Sequence, residues 1–469
     1  MVDHNLLRRI PKVDVVLGQD CIAQLLTEAS PEQVKAFVRD ELEGLRRRVL
    51  AGEVTSVSEP DDLCEVIARD FKRRGPYHLR RVINATGIVL HTNLGRAPLG
   101  REVAEHVADV ASGYSNLEYD LDAGERGSRY THLERLICEL TGAEDAMVVN
   151  NNAGGVFLML DTLCKGEGVA VSRGELVEIG GSFRVPDIMA RSGARLVEVG
   201  TTNKTHPTDY ERAMAEQGVT TLLKVHTSNF VMRGFTESVS VTELADLARP
   251  SGALVLYDVG STFLFPGEAF GIPGAQTVRG ALSEGADLVS FSGDKLLGSA
   301  QGGLIVGRRA LIERIKKNPL TRMLRIDKLS LAALEMTLQL SRSERSAKEQ
   351  VPTLRMLAMT REDCHRRARA LAEALETGVP TAEVDEVELE DEAGGGSLPG
   401  VELPGAGVAV SLPGLSAREL ELRLRGSATP IIVRVKDGRV CLSARTLLSG
   451  DVEEVIPVLA DIAQGVERP

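Results

Sequence analysis

Several features that mark other classes of protein are absent from this 469-residue sequence. No apolar run approaches the roughly 20 residues that a membrane-spanning helix needs, and the charged N-terminus lacks the apolar segment of a secretory signal. No HExxH motif and no CxxC pair occurs, so neither a zinc site nor a disulfide framework is expected. We therefore expect a cytoplasmic protein without a bound metal, whose six scattered cysteines are reduced and mostly buried: Cys21, Cys64, Cys138, Cys164, Cys364 and Cys441.

Aromatic residues are also scarce, since they make up 3% of the chain and tryptophan is missing. The 43% of hydrophobic residues is nevertheless ample for a large core spread over two or three domains. The net charge of −12 argues against a surface coated for nonspecific nucleic-acid binding. Charge is uneven, however, because 383–392 holds seven acids and no base, whereas Arg46–Arg48 and Lys72–Arg74 are basic clusters. The composition is therefore compatible with a local basic face that contacts a polyanion, and these two clusters are the first candidates.

The chain divides into regions that differ in the spacing of their apolar residues. Residues 1–75 are predicted to form short helices, because PEQVKAFVRDELEGLRRRVLAG has apolar residues at helical spacing. Residues 76–330 alternate helical segments with seven short apolar runs, at 146–150, 168–172, 194–200, 220–226, 253–260, 286–294 and 302–307. Continuous apolar strands separated by helices predict an α/β domain with a large, mostly parallel, seven-stranded sheet covered on both faces.

Residues 331–469 are predicted to form a linking helix and a smaller α/β domain. PIIVRVKDGRVCLSART predicts a hairpin with its turn at Asp437-Gly438, and VEEVIPVLADIAQGV predicts a final helix. The stretch at about 383–405 is first acidic and then rich in glycine and proline, so we expect a mobile surface insertion there.

The strongest local signal for chemistry is Lys295, which lies in SFSGDK between two buried strands. A lysine in that position is costly unless it is paired or covalently used, although a solvated loop lysine is the alternative for this motif alone. Asp258 ends the strand ALVLYD, and Asn229 lies just after the strand TTLLKVH. The small-residue turn 150–155 follows a further strand and opens a helix, where backbone N–H groups suit a phosphate.

These residues all lie at strand ends of one predicted sheet, which is where open α/β sheets bind ligands. The set suits pyridoxal 5′-phosphate. We expect Lys295 to bind the cofactor covalently and Asp258 to keep its pyridine nitrogen protonated, so that the ring acts as an electron sink. Asn229 is expected to hydrogen-bond the ring oxygen. The contacts to the cofactor phosphate are predicted to come from Ser292, Ala153 and Gly154.

The order and spacing of these residues resemble fold-type I pyridoxal enzymes, and longer motifs are similar to those of bacterial selenocysteine synthases, the L-seryl-tRNA(Sec) selenium transferases. The similarity covers nearly the whole chain, including its N-terminal region, and fades only near 383–405. The matching segments are LLRRIPKVD, INATGIVLHTNLGRAPL, GERGSRYTHLE, LTGAEDAMVVNNNAGGV, FRVPDIMARSGARLVEVGTTNKTH, LLKVHTSNF, SGDKLLGSAQGGLIVG and NPLTRMLRIDKLSLAALEMTL.

The resemblance implies conversion of L-seryl-tRNA(Sec) to L-selenocysteinyl-tRNA(Sec) with selenophosphate, by β-elimination through a dehydroalanyl-tRNA intermediate and selenium addition. It implies that Lys295 is the catalytic, pyridoxal-binding lysine and that selenophosphate is bound by Arg96, Arg322 and Arg325. The spacing of the last two arginines in TRMLR also predicts that they share one helical face. The resemblance further implies that residues 1–75 recognise tRNA(Sec) and that the chain forms a homo-oligomer, a homodecamer built from dimers.

Three other functions are open on the residues alone. A related pyridoxal lyase that acts on a small amino acid or amino sugar would need neither the N-terminal region nor the three arginines. A cysteine desulfurase needs an exposed nucleophilic cysteine, whereas Cys441 lies inside an apolar strand. A catalytically silent RNA-binding paralogue would not need Lys295 and Asp258. Arg445 is a weak candidate for substrate binding, because the seryl carboxylate is esterified to tRNA, and a structural role is expected for it.

Overall fold

The computed structural model describes residues 4–52, 56–57, 59–74, 78–180 and 183–467. Within these ranges the N-terminal part consists of helices with a hydrophobic core of their own. The longest helix begins with a capping box of Ser30 and Gln33, and its apolar residues are buried at helical spacing, from Val34 to Val49. The helices are α1 (His4–Arg9), α2 (Val13–Leu17), α3 (Asp20–Glu28), α4 (Pro31–Leu50) and α5 (Pro60–Arg74).

The expectation of six reduced thiols was wrong for two of the cysteines. Cys21 on α3 and Cys64 on α5 form a disulfide with an S–S distance of 2.10 Å. They are 43 residues apart in the sequence and meet because α3 packs against α5, which their spacing does not reveal. The other four cysteines are free.

The two basic clusters of the N-terminal part lie on α4 and α5. Arg46, Arg47 and Arg48 lie on α4 with exposed side chains. The side chains of Lys72, Arg73 and Arg74 lie outside the described residues.

The strands range from two to ten residues. They are β1 (Ile83–Asn84), β2 (Tyr119–Asp120), β3 (Glu125–Arg126), β4 (Asp145–Val149), β5 (Gly168–Ser172), β6 (Glu178–Ile179), β7 (Phe183–Arg184), β8 (Arg195–Val199), β9 (Val219–Val225), β10 (Leu254–Gly260), β11 (Leu288–Ser292), β12 (Gly303–Gly307), β13 (Glu383–Glu392), β14 (Glu402–Ser411), β15 (Ile431–Ile432), β16 (Arg434–Lys436) and β17 (Arg439–Ser443).

All seven predicted apolar runs are strands of one sheet, in the order β4-β12-β11-β10-β9-β5-β8. β12 is antiparallel to both neighbours, and the other pairs in the sheet are parallel. Alternate residues of a strand face two different cores, as Val148 does on one side and Met147 and Val149 do on the other. The predicted α/β architecture with a mostly parallel seven-stranded sheet is thereby confirmed.

Helices cover both faces of this sheet and continue into the C-terminal part. They are α6 (Arg101–Ser112), α7 (Thr131–Thr141), α8 (Asn152–Leu163), α9 (Val185–Ser192), α10 (Pro207–Gln217), α11 (Val241–Ala248), α12 (Val278–Ser283), α13 (Arg309–Lys316), α14 (Lys328–Leu340), α15 (Glu344–Gln350), α16 (Pro352–Ala358), α17 (Arg361–Gly378), α18 (Ala417–Gly426) and α19 (Asp451–Glu467). Four short 3-10 helices add to them: Thr92–Leu94, Arg173–Glu175, Gly267–Phe270 and Pro319–Arg322.

The C-terminal part contains a four-stranded antiparallel sheet in the order β13-β14-β17-β16. The predicted hairpin is confirmed, since β16 pairs with β17 across Asp437 and Gly438, which both have positive φ. The predicted final helix is confirmed as α19. Strand β1 pairs in parallel with β15, so the chain just before the large sheet packs on the C-terminal part.

The stretch around 383–405 is not a mobile insertion, because β13 and β14 form a regular hairpin of two ten-residue strands. β13 is an edge strand, and its acids pair with bases of α17: Arg361 with Glu388 at 2.6 Å, and His365 and Arg369 with Glu386 at 2.5 and 3.6 Å. Charged residues on an edge strand also oppose pairing with another chain. The acidic run therefore belongs to the sheet.

None of the helices in the described ranges is long and apolar enough to cross a bilayer. The same ranges contain no group of three or more His, Cys, Asp or Glu side chains that could hold a metal ion.

Candidate active site

Lys295 and Asp258 lie close together at neighbouring strands of the large sheet. Asp258 lies on β10 and is 3% exposed, and Lys295 follows β11 in a turn and is 6% exposed. A methyl group added at Gly260 would lie 3.9 Å from Lys295 Nζ and 4.0 Å from Asp258 Oδ1. The predicted meeting of these two residues at one end of the sheet is therefore seen in the structure.

The Asp258 carboxylate is held by polar neighbours although it is buried. Asn152 Nδ2 donates a hydrogen bond to Asp258 Oδ1 at 2.8 Å, and Ser290 Oγ donates to the same oxygen at 3.3 Å. Burial raises the pKa of Asp258, whereas the bond from Asn152 and the charge of Lys295 act in the opposite direction. Such a carboxylate suits a buried cationic partner like a protonated pyridine nitrogen.

The surroundings of Lys295 make the loss of its ammonium proton easier. Burial lowers the pKa of Lys295, and the nearby Arg96 lowers it further, while Asp258 and Asp294 oppose the shift. A neutral buried amine can attack a carbonyl group and can accept a proton.

Several buried polar atoms around this pair lack a hydrogen-bond partner among the described residues. They include Asn152 Oδ1, His226 Nδ1, Ser228 Oγ and Arg96 Nε. Ser228 is fully buried, and its Oγ lies 3.8 Å from the position of the methyl group added at Gly260. Burial lowers the pKa of His226, and the charges of Lys224 and Lys295 lower it further. Unpaired buried polar groups are costly, so this arrangement fits a polar ligand such as pyridoxal phosphate.

Asn229 has a hydrogen-bond partner outside the pair of Lys295 and Asp258. Its side chain is exposed, and its Nδ2 donates a hydrogen bond to the Glu178 carbonyl oxygen at 2.8 Å. Ser228, one residue earlier, is buried, and its Oγ and Lys295 Nζ lie 3.8 and 3.9 Å from a methyl group added at Gly260. The sequence did not show that Ser228 is buried and Asn229 exposed. Both residues lie beyond the end of β9, where strand alternation no longer determines which side chain points inward.

The predicted phosphate contacts lie at two neighbouring places. Ser292 ends β11, and Ala153 and Gly154 lie in the first turn of α8. The Gly154 N–H already donates to the Asn151 side chain at 2.8 Å, as the N-cap of α8. The roles of these three residues stay predictions.

The three arginines predicted to bind selenophosphate are not equally close to Lys295. Arg96 lies beside it: Arg96 Nη1 contacts Asp294 Oδ2 at 2.6 Å, and its backbone has a φ of 61°, which is unusual for a residue other than glycine. Arg322 is exposed at the end of a 3-10 helix, and Arg325 Nη1 lies 3.7 Å from Glu118. The prediction that Arg322 and Arg325 share one helical face was wrong. The 3-10 helix ends at Arg322, and Arg325 forms a β-bridge with Val149.

The loop between β13 and β14 lies directly over the candidate site. A methyl group added at Gly396 would lie 3.6 Å from Lys295 Nζ. The loop is fixed on both sides, since Leu90 N donates to Ala393 O at 2.9 Å and Ser261 Oγ donates to Ser397 Oγ at 3.1 Å. A segment that the sequence left without a role is therefore a wall of the site.

Arg445 is a structural arginine of the same region. It is 1% exposed, and its Nε donates to Asp391 Oδ2 at 3.0 Å. Its Nη1 and Nη2 donate to the carbonyl oxygens of Met356 and Pro404, both at 2.6 Å. These bonds hold the end of β13 in place and direct the guanidinium into the protein.

Comparison with known proteins gives one consistent family. The family described as "L-seryl-tRNA selenium transferase" matches residues 82–448, and "Selenocysteine synthase N terminal" matches residues 7–46. The chain is 49% identical over 462 residues to the L-seryl-tRNA(Sec) selenium transferase of Geobacter sulfurreducens, with 98% of this chain and 100% of the relative covered. It is 44% identical over 459 residues to the enzyme of the same name from Caldanaerobacter subterraneus subsp. tengcongensis, covering 98% and 99%.

One solved structure supports the fold. D-glucosaminate-6-phosphate ammonia-lyase is 22% identical, with a TM-score of 0.59 over 85% of this chain and 98% of that one. At this identity the similarity concerns the architecture.

Proposed function

The chain belongs to the L-seryl-tRNA selenium transferase family, and we propose from this membership and its site that it converts L-seryl-tRNA(Sec) to L-selenocysteinyl-tRNA(Sec). It is a transferase that uses pyridoxal 5′-phosphate. The observation that carries the proposal is the buried pair of Lys295 and Asp258, in a chain that matches its relatives over 98% of its length.

Lys295 would hold the cofactor through Nζ, and Asp258 would bind its ring nitrogen. Ser228 is better suited than Asn229 to bind the ring oxygen, because its buried Oγ is unpaired among the described residues and lies beside Gly260, as Lys295 Nζ does. Bound pyridoxal phosphate would withdraw electrons from the seryl Cα and so help the β-hydroxyl group to leave.

The protein's own groups would then manage protons and the selenium donor. Lys295, a buried amine of lowered pKa, can take the Cα proton. Arg96, held by Asp294 beside the lysine, suits the phosphate group of selenophosphate, and Arg322 and Arg325 would complete that site. The glycine-rich loop over Lys295 would exclude water from the reacting group.

We assign recognition of tRNA(Sec) to residues 1–75, as the family resemblance implies. The resemblance also implies that the chain assembles into a homodecamer built from dimers. A cytoplasmic location belongs to the same proposal, because aminoacyl-tRNA is used in that compartment. The separate core of α1–α5 supports an independent N-terminal module.

The desulfurase alternative is disfavoured by the state of Cys441. This thiol is 3% exposed in β17, and burial raises its pKa, so an attacking thiolate is not favoured.

The test is to incubate holoenzyme with seryl-tRNA(Sec) and selenophosphate, and then to identify the amino acid released from the tRNA. Selenocysteine is the expected product, and recovery of serine alone would refute the proposal. The Arg322→Ala variant should still eliminate the seryl β-hydroxyl group but should incorporate less selenium. Full incorporation by that variant would remove Arg322 from the donor site.

A further inference from the structure

A second cationic site lies away from Lys295, where α15, α16 and α17 meet. It is a surface cavity of about 280 Å³. Its charged lining consists of one acid and four bases: Asp363, Lys348, Arg355, Arg366 and Arg367.

Among the described residues, only two of these four cations form an ion pair with a carboxylate. Lys348 Nζ contacts Glu344 Oε1 at 2.8 Å, and Arg366 Nη2 contacts Asp363 Oδ1 at 2.5 Å. The other oxygen of Asp363 accepts hydrogen bonds from Thr360 as the capping box of α17, so Asp363 is fully used.

Arg355 and Arg367 are the remaining cations. Arg367 Nη2 donates to the carbonyl oxygen of Leu447 at 2.5 Å, which is a neutral partner. Among the described residues the Arg355 side chain forms no hydrogen bond or ion pair, and its Nε is buried without an acceptor. Both arginines line the same cavity. Burial lowers the pKa of Arg367 and the charge of Arg355 lowers it further, whereas Cys364 and Asp451 act in the opposite direction.

The cavity is rigidly built. Arg445 Nη1 donates to the carbonyl oxygens of Met356 and Met359, at 2.6 and 3.1 Å, and so fixes the connection between α16 and α17. Two guanidinium groups that line one cavity on a fixed frame, with a donor left unpaired, are suited to one small doubly charged anion.

We propose that this cavity binds a phosphate group, and that the phosphate belongs to the backbone of the tRNA. The choice of RNA as the source rests on the proposed function, because a chain with a net charge of −12 needs local positive sites to hold a polyanion. A free phosphate is the other source of the same chemistry. An acidic segment of a second copy of this chain is a different ligand, and the test separates it.

The experiment measures the affinity of holoenzyme for labelled seryl-tRNA(Sec) by fluorescence anisotropy at several salt concentrations, without selenium donor. Arg355→Gln should weaken binding about tenfold and reduce the slope of log affinity against log salt by about one. Arg355→Lys keeps the charge and should retain the slope. Arg369→Gln is the matched control, because Arg369 lies on α17 but pairs with Glu386 at 3.6 Å. Melting temperatures establish that each variant is folded.

A second arm titrates the holoenzyme with inorganic phosphate, observed by phosphorus NMR. Unchanged tRNA binding with loss of phosphate binding in Arg355→Gln supports the phosphate site and assigns it to a free phosphate. Unchanged tRNA and phosphate binding overturns the proposal, and a lower oligomer mass in that case identifies a second copy as the ligand. Because no selenium is transferred in these measurements, a failure of the proposed catalytic function would not affect their outcome.

Discussion

At the scale of single residues, the chemistry depends on Lys295 in a buried position beside Asp258. Lys295→Ala should abolish the visible absorbance of the covalently bound cofactor and lower turnover by about 10²–10⁴-fold or more, because both the attachment and the proton acceptor are lost. Binding of seryl-tRNA(Sec) should stay near normal. Absorbance spectra and anisotropy measure the two effects, and Lys165→Ala, at an exposed lysine, is the control. A retained covalent spectrum would contradict this role.

The neighbouring residues Ser228 and Asn229 give a second comparison. Ser228→Ala should shift the absorbance maximum of the bound cofactor and weaken its retention on dialysis by about tenfold, because one hydrogen bond to a charged group is lost. Asn229→Ala should change both much less, since its amide bonds to Glu178. The reverse order of effects would restore Asn229 as the partner of the ring oxygen.

How far single residues could be predicted depended on where they lie. Lys295 follows β11 and Asp258 lies near the end of β10, so the apolar runs of the sequence predict that both lie near the carboxyl ends of neighbouring strands. Ser228 and His226 lie beyond the end of β9, where the direction of a side chain depends on the fold. The link from Cys21 to Cys64 depends on how two helices pack.

At the scale of elements, the β13–β14 hairpin is held over the site by the buried pair of Asp391 and Arg445. Asp391→Asn should destabilise the protein by about 3–5 kcal/mol, because it leaves the arginine buried without its counter-charge. Asp385→Asn on the same strand removes a surface partner of Arg439 and should cost about 1 kcal/mol or less. Urea denaturation measures both changes. Equal effects would mean that the buried pair does not anchor the hairpin.

The elements that could be predicted share one physical property. The seven strands of the large sheet are buried on both faces and are therefore continuous apolar runs. The β13–β14 hairpin was missed because β13 carries acids on an edge and β14 contains Pro404, Gly405 and Gly407, which disfavour strands. Its ion pairs with α17 and the pairing of β14 with β17 are tertiary effects.

At the scale of the whole molecule, the N-terminal helices are proposed to recognise the RNA. Replacing Arg46, Arg47 and Arg48 together by glutamine should reduce the slope of log tRNA affinity against log salt by about two to three. The reason is that all three side chains are exposed on α4 and could each contact a phosphate. The cofactor spectrum should not change. Arg249→Gln, at an exposed arginine beside Asp246, is the control. An unchanged salt slope would place the contact elsewhere.

The measurement that tests the central claim most directly is transfer of labelled selenium from selenophosphate by the purified holoenzyme. Seryl-tRNA(Sec) and elongator seryl-tRNA(Ser) are offered in parallel. The account predicts label on tRNA(Sec) and none on tRNA(Ser). Absence of label from both, in a protein that retains the cofactor spectrum, would contradict the proposed reaction and favour a lyase of small amino compounds.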